Sequence, residues 1–151
     1  MNIEDRLADL GIDLPPVAKP VAAYVPAIQV GDQISTSGQL PLVSGSLPMT
    51  GLVGDQISQG DAAGQARVAA LNALAAAADV AGGVNNIRRV VRVVVYVAST
   101  ADFTAQPAVA NGASELFGEI FGDAGRHIRS AIGVASLPLG APVKVELTVQ
   151  V

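Results

Sequence analysis

The chain has 151 residues, of which 50% are hydrophobic and only 3% aromatic, and it carries a formal net charge of −4. This length fits a single domain whose core must be built from Val, Ala, Leu and Ile. The negative charge disfavours a nucleic-acid partner, because binding to a phosphate backbone depends on clustered Lys and Arg. Cysteine is absent, which excludes disulfides, thiol catalysis and zinc–thiolate sites.

The N-terminal segment predicts neither export nor a membrane anchor. Residues Met1–Arg6 are charged and lack the apolar run that follows the charged start of a signal peptide. The Ala-rich stretch 71–84 is too short for a membrane span and is interrupted by Asp79. We therefore expect a cytoplasmic protein without a membrane partner.

The first third of the chain predicts an arm followed by two strands. Residues 2–10 favour a short helix, and the prolines of 14–20 favour an extended connector, so that 1–20 form an N-terminal arm. Strands are predicted at 21–30 and 33–39, with Pro26 requiring an edge position or a bulge. Gly38 would let a ligand approach the backbone, or it simply ends an ordinary strand. The loop 40–57 is unusually long and is predicted to hold one short strand at Leu52-Val53.

Two helices and a long strand follow. A helix is predicted over 58–81, capped by Ser58 or Asp61 and ended by Gly82-Gly83. The strand 87–98 places one apolar face towards a core and leaves a mixed face for water or another subunit. A second helix is predicted from Pro107 to Gly122. The apolar face of the strand is predicted to hold Ile87, Val91, Val93, Val95 and Val97.

The last quarter of the chain predicts two further strands around a turn at Leu137-Pro138. Odd positions of 143–151 are apolar and even positions polar, which is the period-two pattern of a strand with one buried face. The predicted order is therefore β-β-α-β-α-β-β. Two helices on one face of a mixed β-sheet give a two-layer α+β domain.

Few side chains are candidates for chemistry. Arg129 and Glu146, on either side of the turn, suggest a site for a small anion, because a guanidinium matches a carboxylate with two hydrogen bonds. Arg129 could instead be an edge charge paired with Glu119 or Asp123. His127, the only histidine, is either a general base or merely solvated. No phosphate-binding loop, nucleophile elbow or metal-ligand spacing occurs, so no cofactor or metal is expected.

The spacing R-S-A-x-x-V-A-x-L-P at 129–138, followed by V-x-V-E at 143–146, resembles the C-terminal signature of the Rid family. These proteins are also called YjgF or L-PSP proteins, or reactive intermediate deaminases. The Ser37-Gly38-Gln39 stretch adds to the resemblance, which covers most of the chain and predicts one Rid-like domain over 1–151. It implies a chorismate-mutase-like fold and a homotrimer, in which three sheets form a barrel with clefts between subunits.

The resemblance also implies an activity. Deaminating members hydrolyse an enamine or imine such as 2-aminoacrylate or 2-iminobutanoate to a 2-oxo acid and ammonia, without metal or cofactor. Arg129 would bind the substrate carboxylate and Glu146 would hold or deprotonate the attacking water. The remaining expected substrate-binding residues are Tyr24, Gly38, Asn111 and Ala131.

Several departures from the family pattern mark a distinct subgroup. Tyr-Ser-x-Ala becomes Tyr24-Val25-Pro26-Ala27, Ala131 stands where Cys is frequent, and two extra residues separate Pro138 from Glu146. The loop 40–57 is extended. A small-carboxylate binding or sensing trimer without turnover is therefore the alternative prediction. RNA cleavage, ascribed to some relatives, is disfavoured by the net charge and by the lack of a second histidine.

Overall fold

The computed structural model describes residues 1–18, 20 and 22–151. Its order of strands and long helices is β-β-α-β-α-β-β, as the sequence predicts, with a short helix in front. The main elements are α1 (Ile3–Asp9), β1 (Ala27–Val30), β2 (Gln33–Thr36), α2 (Gln59–Ala81), β3 (Arg89–Ala98), α3 (Gln106–Phe121), β4 (Ile128–Val134) and β5 (Val143–Gln150).

The five strands form one mixed sheet in the order β1-β2-β5-β3-β4. Neighbouring strands are antiparallel except β3 and β4, which are parallel and joined through α3. A parallel pair needs such a crossover, because a tight turn cannot bring a chain back in the same direction. As a result β1 and β4 are the two edge strands.

One face of the sheet is covered by α2 and α3, and the other face is open. Alternate residues of β5 from Val143 to Val149 are at most 1% exposed, whereas the residues between them are half-buried. The many buried alanines of α2 let this helix lie close to the sheet and to α3. Ser58 caps α2 as predicted, since its hydroxyl accepts a hydrogen bond from the Asp61 N–H at 3.1 Å.

A bulge in β3 corrects one predicted face. The pairing of β3 with β5 skips one residue between Val90 and Arg92, so Val91 is the extra residue. Val90 is therefore fully buried, and Val91, predicted on the core face, is only half-buried. A one-residue insertion exchanges the two faces of a strand, and the apolar run of β3 gives no sign of where this happens.

The first two strands are shorter than predicted. The strand predicted over 21–30 begins at Ala27, after Pro26, which has no N–H to donate; Val21 lies outside the described residues. The strand predicted over 33–39 ends at Thr36, and pairing resumes only at Gln39, which bridges to Val145. Pro26 lies next to an edge strand, which is one of the two positions that the sequence allowed.

The described part of the N-terminal arm packs on its own domain. Leu7 of α1 is buried, and the Arg6 Nε–H donates to the Glu119 carbonyl oxygen of α3 at 2.8 Å.

The long loop 40–57 is anchored at its start by the buried Asn72 of α2, whose Nδ2 donates to the carbonyl oxygens of Leu40 (2.9 Å) and Leu42 (3.0 Å). The strand predicted at Leu52-Val53 is reduced to two isolated bridges, in which Val53 pairs with Ile57 and with Ser99. Among the described residues, none of the helices is both long and apolar enough to cross a membrane.

Candidate functional site

Arg129 lies on edge strand β4 and is directed to the helix-covered side of the sheet. In the parallel register it is opposite Val93, whose side chain is fully buried in the core. Its Nη1 donates to Asn111 Oδ1 at 2.7 Å and to Ser114 Oγ at 3.2 Å, both on α3. Neither Glu119 nor Asp123, the alternative partners, forms an ion pair with Arg129. Glu119 pairs with Arg67 at 3.0 Å, and Arg129 has no ion pair among the described residues.

The two contacts from α3 leave one edge of the guanidinium free. Nη1 carries two N–H groups, and Asn111 and Ser114 accept from this atom. Nε and Nη2 have no partner among the described residues, and together they form the fork that matches the two oxygens of a carboxylate. Arg129 is thus held in place at one end and available to an anion at the other.

A hydrogen-bonded chain continues from Arg129 to His127. Ser114 Oγ lies 2.8 Å from His127 Nε2, and His127 Nδ1 lies 2.6 Å from the Gly125 carbonyl oxygen. Because a carbonyl oxygen can only accept, Nδ1 carries a hydrogen, and Nε2 is the nitrogen that forms the hydrogen bond with the Ser114 hydroxyl. The ring of Phe117 meets the His127 ring edge-to-face, with centroids 6.1 Å apart. His127 is therefore not merely solvated, and its orientation is defined from three sides.

Ser114 was not among the residues predicted from sequence. It follows Asn111 by three positions on α3, so the two side chains share one face of the helix. That spacing is visible in the sequence. The sequence does not show that this face lies above Arg129, because only the crossover β3–α3–β4 places it there.

Arg129, Ser114 and His127 line a cavity of about 330 Å³ beside α3, together with Arg126 and the small residues Gly118, Gly122 and Gly125. Gly125 is required at its position, because a Cβ there would lie 2.8 Å from the Phe117 carbonyl carbon. Ala131, two residues along β4, is half-buried on the same side of the sheet and packs against the core. We call Arg129, Asn111, Ser114 and His127 the arginine half-site.

Tyr24 and Gly38 come together elsewhere. They line a second cavity of about 130 Å³, which also includes Ser37, Gln39 and Leu139. Because Gln39 pairs with Val145, Gly38 lies beside Lys144 on the open face of the sheet, where a Cβ would overlap the lysine side chain. This places the Ser37-Gly38-Gln39 stretch next to the strand that carries Glu146.

Glu146 lies on the open face, opposite to the side that holds Arg129. It pairs with Val94 of β3, and its Oε1 accepts a hydrogen bond from the Tyr96 hydroxyl at 3.1 Å. One chain therefore does not bring Glu146 and Arg129 together. We call Glu146, Tyr96, Gly38 and Tyr24 the glutamate half-site. Among residues 1–18, 20 and 22–151, no three His, Asp or Glu side chains cluster to hold a metal ion.

Burial raises the pKa of Tyr96 above 10.0, and the hydrogen bond and charge of Glu146 add to this rise, which Arg92 partly opposes. The folded state thus holds the Tyr96 proton more tightly than the unfolded state. The resulting stabilisation is complete below pH 10.0 and is lost as the pH rises through the folded pKa.

We expect the remaining tyrosine of a Tyr24→Phe variant to form phenolate at a higher pH when folded than when unfolded. Ultraviolet absorbance of the phenolate measures this directly, and Glu146→Gln in the same background should lower the folded midpoint. An unchanged midpoint in the Glu146→Gln variant would contradict the contact between the two side chains.

Comparison with known proteins gives a consistent result. A family model described as "YjgF/chorismate mutase-like, putative endoribonuclease" matches residues 4–151. Protein TCP17 of Trypanosoma cruzi is 40% identical over 150 residues, which cover 99% of this chain and 94% of that protein.

Solved structures extend the comparison to the fold. A protein from Shewanella oneidensis MR-1, described as a putative endoribonuclease, superposes with a TM-score of 0.95 at 32% identity, and each chain is covered completely. Atu1372 from Agrobacterium tumefaciens, of unknown function, gives 0.87 at 41% identity, covering 99% of this chain and 91% of that one. RidA from the Antarctic bacterium Psychrobacter gives 0.62 at 25% identity, covering 89% and 94%. The two-layer, chorismate-mutase-like fold predicted from the sequence is therefore confirmed.

Proposed function

We propose, because the chain belongs to the YjgF family, that it hydrolyses reactive imines or enamines, of the 2-iminobutanoate or 2-aminoacrylate type, to 2-oxo acids and ammonia. The observation that carries this proposal is the free fork of Arg129 beside a cavity of about 330 Å³. Such a cavity is large enough for a small acid, and the fork orients the carboxylate of that acid.

Arg129 fixes one end of the substrate. Two charge-assisted hydrogen bonds from Nε and Nη2 to the carboxylate leave the adjacent imine carbon in a defined position. Asn111 and Ser114 hold Nη1, so the guanidinium does not have to be ordered when the substrate binds. Ala131, two residues further along β4, lies on the same side of the sheet as Arg129.

Glu146 is the proposed base. The enamine becomes the imine by taking a proton at carbon and losing one from nitrogen. Water then adds to the imine carbon and loses a proton to Glu146, which passes it to the imine nitrogen. Glu146 next takes the hydroxyl proton of the carbinolamine and passes it to the amine, so that the C–N bond breaks and ammonia leaves the 2-oxo acid. Because Glu146 and Arg129 lie on opposite faces of one sheet, Glu146 must come from a neighbouring protomer. Tyr24 and Gly38 would complete the cleft from that protomer.

The open face of the sheet supports an assembly that joins the two half-sites. Its edges expose large aliphatic side chains: Ile28 (58% exposed) and Val30 (74%) on β1, and Ile128 (60%) and Ile132 (44%) on β4. Exposed apolar groups of this size favour a partner. Contact between the β1 edge of one copy and the β4 edge of the next repeats around a ring, and three copies close it in the trimer that the family resemblance implies.

Binding of a small carboxylate without turnover is the second candidate function. The observation that favours it is that the arginine half-site is complete within one chain, whereas Glu146 is separate and already accepts a hydrogen bond from Tyr96. Ammonia release distinguishes the two functions, since a sensor binds the 2-oxo acid but does not accelerate the spontaneous hydrolysis of the imine in buffer.

The experiment measures ammonia release from 2-aminoacrylate or 2-iminobutanoate produced in place by a dehydratase. We expect wild-type protein to accelerate release, and Arg129→Ala and Glu146→Gln each to remove the acceleration. The two inactive variants are then unfolded together, mixed in equal amounts and refolded. In a trimer with shared sites, about a quarter of the sites regain both side chains, so about a quarter of the activity returns.

Each variant refolded alone is the control. No acceleration by wild type contradicts the deaminase and leaves the binding function. Acceleration by wild type with no recovery on mixing contradicts the sharing of Arg129 and Glu146 between protomers.

A further inference from the structure

Three arginines surround His127. Arg126 and Arg129 line the cavity of the arginine half-site. Arg126 and His127 also border a neighbouring cavity of about 400 Å³, which Arg89 lines from β3. The Arg89 guanidinium donates to the Arg126 carbonyl oxygen at 3.1 Å, so a residue of the second cavity contacts one that lines both. The two cavities therefore form one cationic surface with His127 between them.

None of these three arginines is neutralised within the described part of the chain. The single ion pair found there joins Arg67 to Glu119 and includes none of the three. The protein as a whole has a net charge of −4, so an excess of positive charge at one place is not a general property of its surface. Like charges repel, and one bound carboxylate balances only one of the three.

We propose that the ligand of this site is a dianion, a 2-imino or 2-oxo acid with a second carboxylate at its far end. The carboxylate beside the imine carbon binds Arg129, and the distal carboxylate binds Arg126, with Arg89 adding to the positive potential. This rests on the proposed function only in assigning the first carboxylate to Arg129. Within the proposed class of 2-imino acids, it specifies a preference for the imine of an acidic amino acid over that of an uncharged one.

The test compares two acids of equal carbon chain length, 2-oxoglutarate and 2-oxopentanoate, by calorimetric titration of the assembled wild-type protein. They differ only in the distal carboxylate. A hydrogen bond to a charged group contributes about 1.5–3 kcal/mol, so we expect 2-oxoglutarate to bind roughly 10- to 100-fold more tightly. The difference should shrink as salt is added, because salt screens exposed charges.

Arg126→Gln is the decisive variant. It should lower the affinity for 2-oxoglutarate to that for 2-oxopentanoate and leave 2-oxopentanoate binding unchanged. Arg88→Gln, at an exposed arginine that borders neither cavity, is the matched control and should retain the preference. Arg89→Gln should reduce the preference only in part.

Equal affinities in the wild type, a preference that survives Arg126→Gln, or no binding of either acid would each overturn the proposal. These outcomes are separate from the failure of the deaminase. A protein that prefers 2-oxoglutarate through Arg126 but releases no ammonia keeps the dianion site and loses the proposed reaction.

Discussion

Replacing Arg129 by alanine is expected to weaken the binding of 2-oxobutanoate at least about 100-fold. The substitution removes two charge-assisted hydrogen bonds, which together contribute about 3–5 kcal/mol. Arg129→Lys should recover only part of this, because a lysine keeps the charge but not the planar fork. Calorimetric titration measures the affinity, and the same variants in the ammonia assay measure kcat/KM.

A loss of affinity in Arg129→Ala can be assigned to the anion site only if the variant is folded. Arg129 also contacts Asn111 and Ser114, so thermal unfolding of each variant should accompany the titration. Arg88→Ala serves as the matched control, since it removes an exposed arginine just before β3 and should leave binding unchanged. If Arg129→Ala folds normally and binds 2-oxobutanoate as tightly as the wild type, Arg129 is not the anion site.

A second large effect is expected where α2 and α3 cross. Gly112 of α3 lies directly over the backbone of Ala63, so that a Cβ at residue 112 would overlap the Ala63 carbonyl oxygen and lie 2.8 Å from its carbonyl carbon. A backbone atom cannot rotate away as a side chain can, so the two helices must separate. We expect Gly112→Ala to destabilise the domain by about 3 kcal/mol, towards the upper end of overpacking costs.

Gly64→Ala is the matched control for this substitution. Gly64 also lies inside a helix, one residue from Ala63, and a Cβ there meets no atom within 4 Å. Alanine should stabilise the helix at that position by up to about 1 kcal/mol. Thermal unfolding should therefore separate the variants by about 8–16 °C, at about 2–4 °C for each kcal/mol. Equal stability of the two variants would show that α2 and α3 are not in close contact at Gly112.

The predictions from sequence that succeeded depend on local physical causes. The alternation of 143–151 identified β5, because successive side chains of a strand point to opposite faces. Ser58 and Gly82-Gly83 bounded α2, because a helix leaves end groups that such residues can satisfy. The motif around Arg129 identified the family, and the family implied the fold. Length, charge and periodicity therefore predicted the class of the domain and the order of its elements.

The arrangement of the site could not be read from the same patterns. A bulge at Val91 exchanged the two faces of β3, and nothing in a run of valines marks where a register shifts. Ser114 and His127 became partners of Arg129 only because the crossover through α3 places that helix above β4. Arg129 and Glu146 are seventeen positions apart, yet β4 and β5 lie on either side of β3, and the two side chains face opposite sides of the sheet.

By itself, the sequence determined the type and order of the main helices and strands, because backbone periodicity is a local property, and it made Arg129 the candidate for binding an acid, because the shape of a guanidinium is local too. Only the tertiary structure decided which groups share a cavity. It separated the predicted pair into two half-sites and gathered Arg89, Arg126 and Arg129 around His127. Proximity in space depends on strand order and on which face each residue takes, and both are set by the packing of the whole domain.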